Sequence, residues 1–396
     1  MIEIAAFSKS EKEVSLEALE FSKAEKIQAF HKSFPMYEET PLAKLQEYAK
    51  VVGVKSVYVK DESYRFGLNA FKVLGGSYAI GKYIAKKLGM DISELPFEKL
   101  VSEEIREKLG DMTFISATDG NHGRGVAWTA HQLKQHSIIL MPKGSSLERL
   151  NNIKAEGAEA SITDLNYDDA VRLANDMAEE NGYCMVQDTA WEGYEDIPLW
   201  IMQGYMTMAH EAYKQLQGVR PTHIFIQAGV GSLAGAVIGF FSAVYKNNKP
   251  VITVVEPDQA ACIYETAKAD DGTRHCVTGD MNTIMAGLAC GEPNIISLDI
   301  LRKYADYSLS CPDYTAAQGM RILGNPLKGD DRVISGESGA AGFGAASEIL
   351  RNPQYVCLKE KLGIDENSVL LFFSSEGDTD AENYRRIVWD GLYPQV

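Results

Sequence analysis

An α/β fold with mostly parallel, twisted sheets is what this chain predicts, and three observations carry the prediction. From about residue 111 onward, strand-like apolar runs alternate with helix-like segments at short intervals, the pattern of parallel sheets covered by helices on both faces. At 396 residues the chain is long enough for two such domains. Its glycines and chemically versatile side chains cluster where predicted strands end, the edge at which α/β sheets bind ligands.

The elements follow in order. A helix is expected to start near Ser22, with Ser22 and Glu25 as a capping box, and Pro35 and Pro41 make the stretch between them an extended lead-in. Strand 56–60 runs into the turn KDES and the loop YRFGLN, and a helix with Lys72 in its first turn continues to about Leu88. Strands at 113–118, 137–141, 159–164 and 184–188 each precede a helix, the last of these reaching from about Leu199 to Leu216. Strand 223–229, helix SLAGAVIGFFSAVY, strand 251–257 and a late strand 368–375 complete the alternation. The insert from about Lys268 to Cys290 reads as a long functional or mobile loop.

Composition excludes several classes. A formal net charge of −16 argues against nucleic acid or an anionic membrane as partner. The longest apolar run, at 234–245, is broken by glycine and serine and is too short to span a bilayer. The first residues carry acids early and lack the apolar core of a signal peptide. Six scattered cysteines without a CxxC pair indicate reduced thiols, no zinc site and a cytoplasmic protein.

Lys72 lies between Phe71 and Val73 at the start of a helix. Apolar neighbours disfavour an ammonium and leave more free amine, the state that forms a Schiff base. Many lysines beside aromatics only lay their stems on the core, so the loops decide. In SATDGNHGRG (116–125), glycines allow close backbone approach, the helix start offers an anion site, and Asp119, Asn121 and His122 exceed what a turn needs. In AGVGSLAG (228–235), backbone amides and the Ser232 hydroxyl suit a phosphate, without the Walker lysine or the dinucleotide spacing. VQDTAWEGY places Asp188 at a strand end, where a helix-capping role is equally open, SGESGAAGFG sets Glu337 among small residues, and FFSSEGDTD ends the last strand in Ser374 and Ser375.

These segments, in this order over nearly the whole chain, resemble the fold type II pyridoxal-phosphate enzymes related to tryptophan synthase β and the serine and threonine dehydratases. KDESYRFGLNAFKVLGGSYAI, TDGNHGRGVAW, QDTAWEGY, IMAGLACGEPN, ISGESGA and EGDTD are similar, within that fold, to the 2,3-diaminopropionate ammonia-lyase family. The resemblance implies two three-layer α/β/α domains, a large one from 1–88 and 215–396 and a small one from 89–214. It implies that Lys72 carries pyridoxal 5'-phosphate as a Schiff base and that Asn121 contacts the phenolic oxygen. The amides of Gly229, Val230, Gly231, Ser232 and Leu233 would hold the phosphate, and Ser374 or Ser375 would meet the ring nitrogen. Thr118, Asp119, Gly120, His122 and Asp188 fall at substrate positions, His122 as a hydrogen-bonded loop residue rather than a general base. The simple dehydratases carry a serine before GNHG; here Thr118 and Asp119 precede it.

The implied reaction is α,β-elimination of D- or L-diaminopropionate to pyruvate and two ammonia, by a homodimer. A neutral serine at the ring nitrogen makes a shallower electron sink than a carboxylate would, which at the level of the family favours prompt elimination. Carboxylates at Asp119 and Asp188 suit a substrate with a second ammonium. The Cα protons of the two isomers lie on opposite faces, so Lys72 or Asp188 is expected to serve the L-isomer and Asp119 the D-isomer. A serine or threonine dehydratase of the same fold, and a non-catalytic phosphate-ligand binder using GVGSLAG alone, are the alternatives. Cys262 and Cys290 bracket the insert and a disulfide there would restrain it; a reducing cytosol favours free thiols.

Overall fold

The computed structural model of the chain describes every residue except Glu11, Asp119 and Val396. Among the described residues, the strands are β1 (Glu3–Ala6), β2 (Leu42–Lys44), β3 (Ser56–Asp61), β4 (Thr113–Ala117), β5 (His136–Met141), β6 (Glu159–Ile162), β7 (Cys184–Met185), β8 (His223–Gln227), β9 (Val251–Pro257), β10 (Tyr307–Cys311) and β11 (Val369–Ser374). They form a seven-stranded sheet in the order β1-β10-β9-β8-β11-β3-β2 and a four-stranded sheet in the order β6-β5-β4-β7. The inner strands of the large sheet are parallel, and only the short edge strands β1 and β2 pair antiparallel. The small sheet is parallel throughout. The α/β class with mostly parallel sheets is therefore as read from the sequence.

Sequence explains the centre of the large sheet directly. Every residue of HIFIQ in β8 and of VLLFFS in β11 is buried, as expected of strands with helices on both faces. Phe225 of β8 stacks on Phe372 of β11 with ring centroids 5.6 Å apart. In register, Phe372 stands opposite both Phe225 and Val59, and Ser374 opposite Asp61. The carboxyl ends of β3, β8 and β11 thereby reach one edge together.

Small residues bring helices across that edge. The helix Val73–Leu88 crosses the helix Asp196–Gln215 so closely that a Cβ on Gly204 would come 2.3 Å from Leu74 O, and one on Gly75 2.5 Å from Tyr205 Cε1. Beneath the crossing lies a fully buried charge network. Arg65 donates through Nε and Nη2 to Glu62 at 2.8 and 2.9 Å and through Nη1 and Nη2 to Glu211 at 3.0 and 2.7 Å. Lys60 Nζ pairs with Glu211 at 2.8 Å, and all of these side chains have 0% exposure in their pairs. Buried charges persist only when matched and hydrogen-bonded. The network ties the KDESYR segment, and with it the approach to Lys72, onto the helix Asp196–Gln215.

Several expectations are corrected. The first long helix spans Phe21–Lys32 and has no side-chain cap bond, so Ser22 and Glu25 form no capping box. Phe21 packs edge-on against His210 at 4.9 Å and so enters the helix as an anchor one residue earlier. Lys72 sits at the residue before the helix Val73–Leu88, already in right-handed helical geometry. The strands expected at 113–118, 159–164, 184–188, 223–229 and 368–375 pair over shorter ranges, because their last residues leave the ladder to build the loops of the site. β1, β2 and β10 carry no strong sequence signal; β10 (YSLSC) buries serines where an apolar run is usual. A helix, Cys262–Ala269, leads into the insert, which itself holds a short 3₁₀ turn at Ala286–Leu288. None of the six cysteines is in a disulfide, so Cys262 and Cys290 are not bridged here. No helix among the described residues is long and apolar enough to cross a membrane.

Candidate active site

A cavity opens where the carboxyl edges of both sheets face each other, and Lys72, Asp188 and the loop after β8 share its wall. Lys72 is delivered by the start of the helix Val73–Leu88, its side chain 18% exposed. Its Nζ stands 5.6 Å from the centre of the Phe71 ring, as the sequence suggested. The apolar argument is incomplete, however. Nζ also pairs with Asp188 Oδ2, an anionic partner contributed by the far side of the chain.

Asp188 is held on every side. Tyr167 donates its hydroxyl to Oδ1 at 3.2 Å, and Gln187 Nε2 donates to the Tyr167 oxygen at 2.8 Å. Burial alone would push this carboxyl up, but the Lys72 and His122 charges outweigh it and hold it down at about 2. It is a carboxylate at any neutral pH. His122 Nε2 bonds the Val186 carbonyl at 2.8 Å; since a carbonyl only accepts, this nitrogen carries the hydrogen. His122 lines the cavity as a hydrogen-bonded loop residue.

The loop after β8 is an anion cradle. Gly231 has φ +103° and opens the 14-residue helix Ser232–Tyr245. A left-handed residue there turns the first amides of the helix toward the cavity, where no intrahelical acceptor exists for them. A Cβ on Gly229 would lie 3.1 Å from Gly287 O and 3.2 Å from Leu288 Cα, so the insert packs directly on the cradle. The Ser232 hydroxyl, expected at the phosphate, donates instead to the backbone carbonyl of Asp188 and accepts from Asn294 Nδ2 at 2.9 Å. It ties the cradle to the backbone of Asp188.

Thr118 is a helix cap as well as a wall residue. Its Oγ1 accepts from the amides of Gly120 at 3.0 Å and Gly123 at 3.2 Å, which fixes the start of the helix Asn121–Gln132. Gly120 sits in that turn and is not on the cavity wall. Asp119 lies outside the described residues. Asn121 Nδ2 donates to Glu376 Oε2, while Glu376 Oε1 accepts from the Ser338 amide at 3.0 Å. Ser375 faces the cavity; Ser374 turns away and donates to Ser335 Oγ at 2.8 Å.

Tyr167, Gln227 and Glu376 on the wall were not singled out by sequence. Signals existed: Gln227 is a polar residue closing an apolar strand, Tyr167 opens a helix just beyond β6, and Glu376 lies in the segment SSEGD. Behind the wall, Glu337 is 2% exposed with Arg149 Nη2 at 4.0 Å. Burial first, and the nearby Glu376 second, push its carboxyl up to about 7.

An amine paired to a carboxylate, an anion cradle and an inward hydroxyl around one cavity fit an aldehyde-bearing, phosphorylated ring. Residues 34–360 match the family described as pyridoxal-phosphate dependent enzymes, and the chain belongs to that family. The match then narrows. The chain is 56% identical over 369 residues to the diaminopropionate ammonia-lyase of Salmonella typhimurium, covering 92% of this chain and 91% of the relative. It is 52% identical over 374 residues to that of Escherichia coli K12, covering 94% and 92%. Its structure superposes on the crystal structure of the Escherichia coli diaminopropionate ammonia lyase in complex with D-serine with a TM-score of 0.93 at 48% identity, over 100% of this chain and 98% of that one. Within the pyridoxal-phosphate dependent enzymes, the chain belongs to the diaminopropionate ammonia-lyases.

Proposed function

We propose that the protein eliminates ammonia from 2,3-diaminopropionate, D, L or both, to give pyruvate and two ammonia. The observation that carries this reading is the Lys72–Asp188 pair standing in one cavity with the Gly229–Leu233 cradle. The bound cofactor supplies an aldehyde for the Lys72 amine and a conjugated ring that accepts the electron pair left at the substrate Cα.

The chain's own residues do the rest. The amides of Gly229, Val230, Gly231, Ser232 and Leu233 would hold the phosphate, at the positive end of the helix Ser232–Tyr245. Asn121, bonded to Glu376, would meet the phenolic oxygen of the cofactor, and Ser375, which faces the cavity, rather than Ser374 would meet its ring nitrogen. Asp188 and Glu376 place two carboxyl groups on the wall, which favours a substrate carrying a second ammonium. Asp188 Oδ2 faces Lys72 Nζ, so a proton passes between them without crossing water. Lys72 or Asp188 takes the Cα proton of the L-isomer, and Asp119 that of the D-isomer.

We further propose a homodimer located in the cytoplasm, following the family resemblance, the acidic composition and the cysteines' lack of disulfides. The division into 1–88 with 215–396 and 89–214 is proposed likewise, with the helix Asp196–Gln215 as the tie between the parts. The test is direct. Purified protein supplied with the cofactor should turn yellow, borohydride should tag Lys72, and pyruvate and ammonia should be released from D- and L-diaminopropionate. Serine turned over faster than diaminopropionate would favour a dehydratase instead.

A further inference from the structure

Gln227, the last residue of β8, pairs with Ser375 just beyond β11, and the reaction scheme above gives Gln227 no part. Gln227 Nε2 donates to the Phe373 carbonyl at 2.8 Å and to Ser375 Oγ at 2.8 Å. The orientation of this amide is forced. A backbone carbonyl only accepts, so the nitrogen, not the oxygen, must face Phe373 O. The amide oxygen then lies toward the helix Glu337–Arg351, where a Cβ on Gly342 would come 3.4 Å from it.

Both hydrogens of Nε2 are therefore committed, one of them to Ser375. The serine oxygen is an acceptor in that bond, and its own hydrogen has to point elsewhere. Among the described residues Ser375 Oγ donates to none, and it stands on the cavity wall. Ser374, one residue earlier, already has its donor committed to Ser335. A hydroxyl whose hydrogen points into the cavity suits an atom with a lone pair. A protonated ring nitrogen in the same place would set two hydrogens face to face.

We propose that Gln227 is a positioning residue that fixes the direction of the Ser375 hydroxyl, so that this hydroxyl donates into the cavity and the cofactor's ring nitrogen is kept unprotonated. The proposal rests on Ser375 meeting that nitrogen, as in the function above. It makes the state of the ring a consequence of a backbone carbonyl in β11, relayed through one amide. A glutamine that merely tied β8 to β11 would affect stability and leave the ring alone.

The test reads the ring itself: the ¹⁵N resonance of holoenzyme loaded with cofactor labelled at the ring nitrogen, followed against pH. Wild type should show the unprotonated position. In Gln227→Glu the carboxylate accepts from Ser375, draws its hydrogen out of the cavity and turns a lone pair toward the ring. The resonance should then move toward the pyridinium position, with proton affinity raised roughly tenfold. If that variant does not fold, Gln227→Met decides: it keeps the length, loses both donors, and should shift the resonance in the same direction by less. A stability loss in either variant with a wild-type ring resonance at every pH overturns the proposal, as does a protonated ring in the wild type. Wild-type protein that takes up no cofactor would overturn the proposed function together with it, which separates the two failures.

Discussion

Lys72 Nζ and Asp188 Oδ2 form an ion pair although 116 residues separate them in the chain. One comes from the edge of the seven-stranded sheet and the other from the strand end after β7 in the four-stranded one. The pair joins the two sheets at the point where the chemistry is proposed. Tyr167 anchors its carboxylate, and Ser232 and Asn294 both donate to the backbone carbonyl of Asp188.

Asp188→Asn keeps the shape and removes the charge. The rate on L-diaminopropionate should fall by roughly 10²–10⁴-fold, the usual contribution of a positioned acid–base group. Asp119→Asn should cost the D-isomer more than the L-isomer. Steady-state assays of both variants with both isomers check the assignment, and equal losses on the two isomers in each variant would defeat it.

Gly231→Ala asks an L-residue to adopt φ +103° and places a Cβ 2.8 Å from Ser297 Oγ. The left-handed conformation alone costs about 1–2 kcal/mol. The strain falls on the cradle, so cofactor affinity should drop by roughly tenfold or more. Fluorescence titration with the cofactor measures it; a lowered melting temperature with unchanged affinity would count against the cradle.

Glu211→Gln breaks the buried network and leaves Arg65 and Lys60 short of a counter-charge. Removing one partner of a fully buried pair typically costs about 3–5 kcal/mol. Urea denaturation should show that loss, far beyond the effect of disrupting the exposed Lys86–Asp196 pair, whose side chains are 67% and 66% exposed. Similar losses from the two changes would remove the network from the account of how Lys72 is placed.

Glu337 predicts a pH dependence of stability. Burial, and after it the nearby Glu376, push its carboxyl up to about 7 in the folded chain from the ordinary glutamate value of 4.5. The raised value means the folded protein holds this proton more tightly than the unfolded one. The contribution is therefore fully present below about pH 4.5 and is lost as pH rises through about 7, roughly 3 kcal/mol over the window. Glu337→Gln removes the ionisation and should flatten that slope in urea titrations run at several pH values. An unchanged slope assigns it to other groups.

Much of the site was legible because the relevant signals are local. A glycine-rich turn between an apolar strand and an apolar helix reads as an anion cradle from its own eight residues, and β8 and its helix lie where the pattern puts them. The helix start near Ser22 misled because a capping motif is weaker than an aromatic anchor packed from 189 residues away, His210 on Phe21. The Ser232 hydroxyl misled for the same reason: its partner, the Asp188 carbonyl, is 44 residues distant and left no trace in the motif.

From its sequence alone this chain determined an α/β class, the cradle, and Lys72 at the head of a helix, since helix period, apolar runs and glycine turns are properties of neighbouring residues. Tertiary structure alone decided the strand order, the anion that faces Lys72, the choice of Ser375 over Ser374 for the cavity, and the amide of Gln227 behind it. Each of these is set by which strand ends meet at one edge, and packing between distant segments fixes that meeting only when the sheets are assembled.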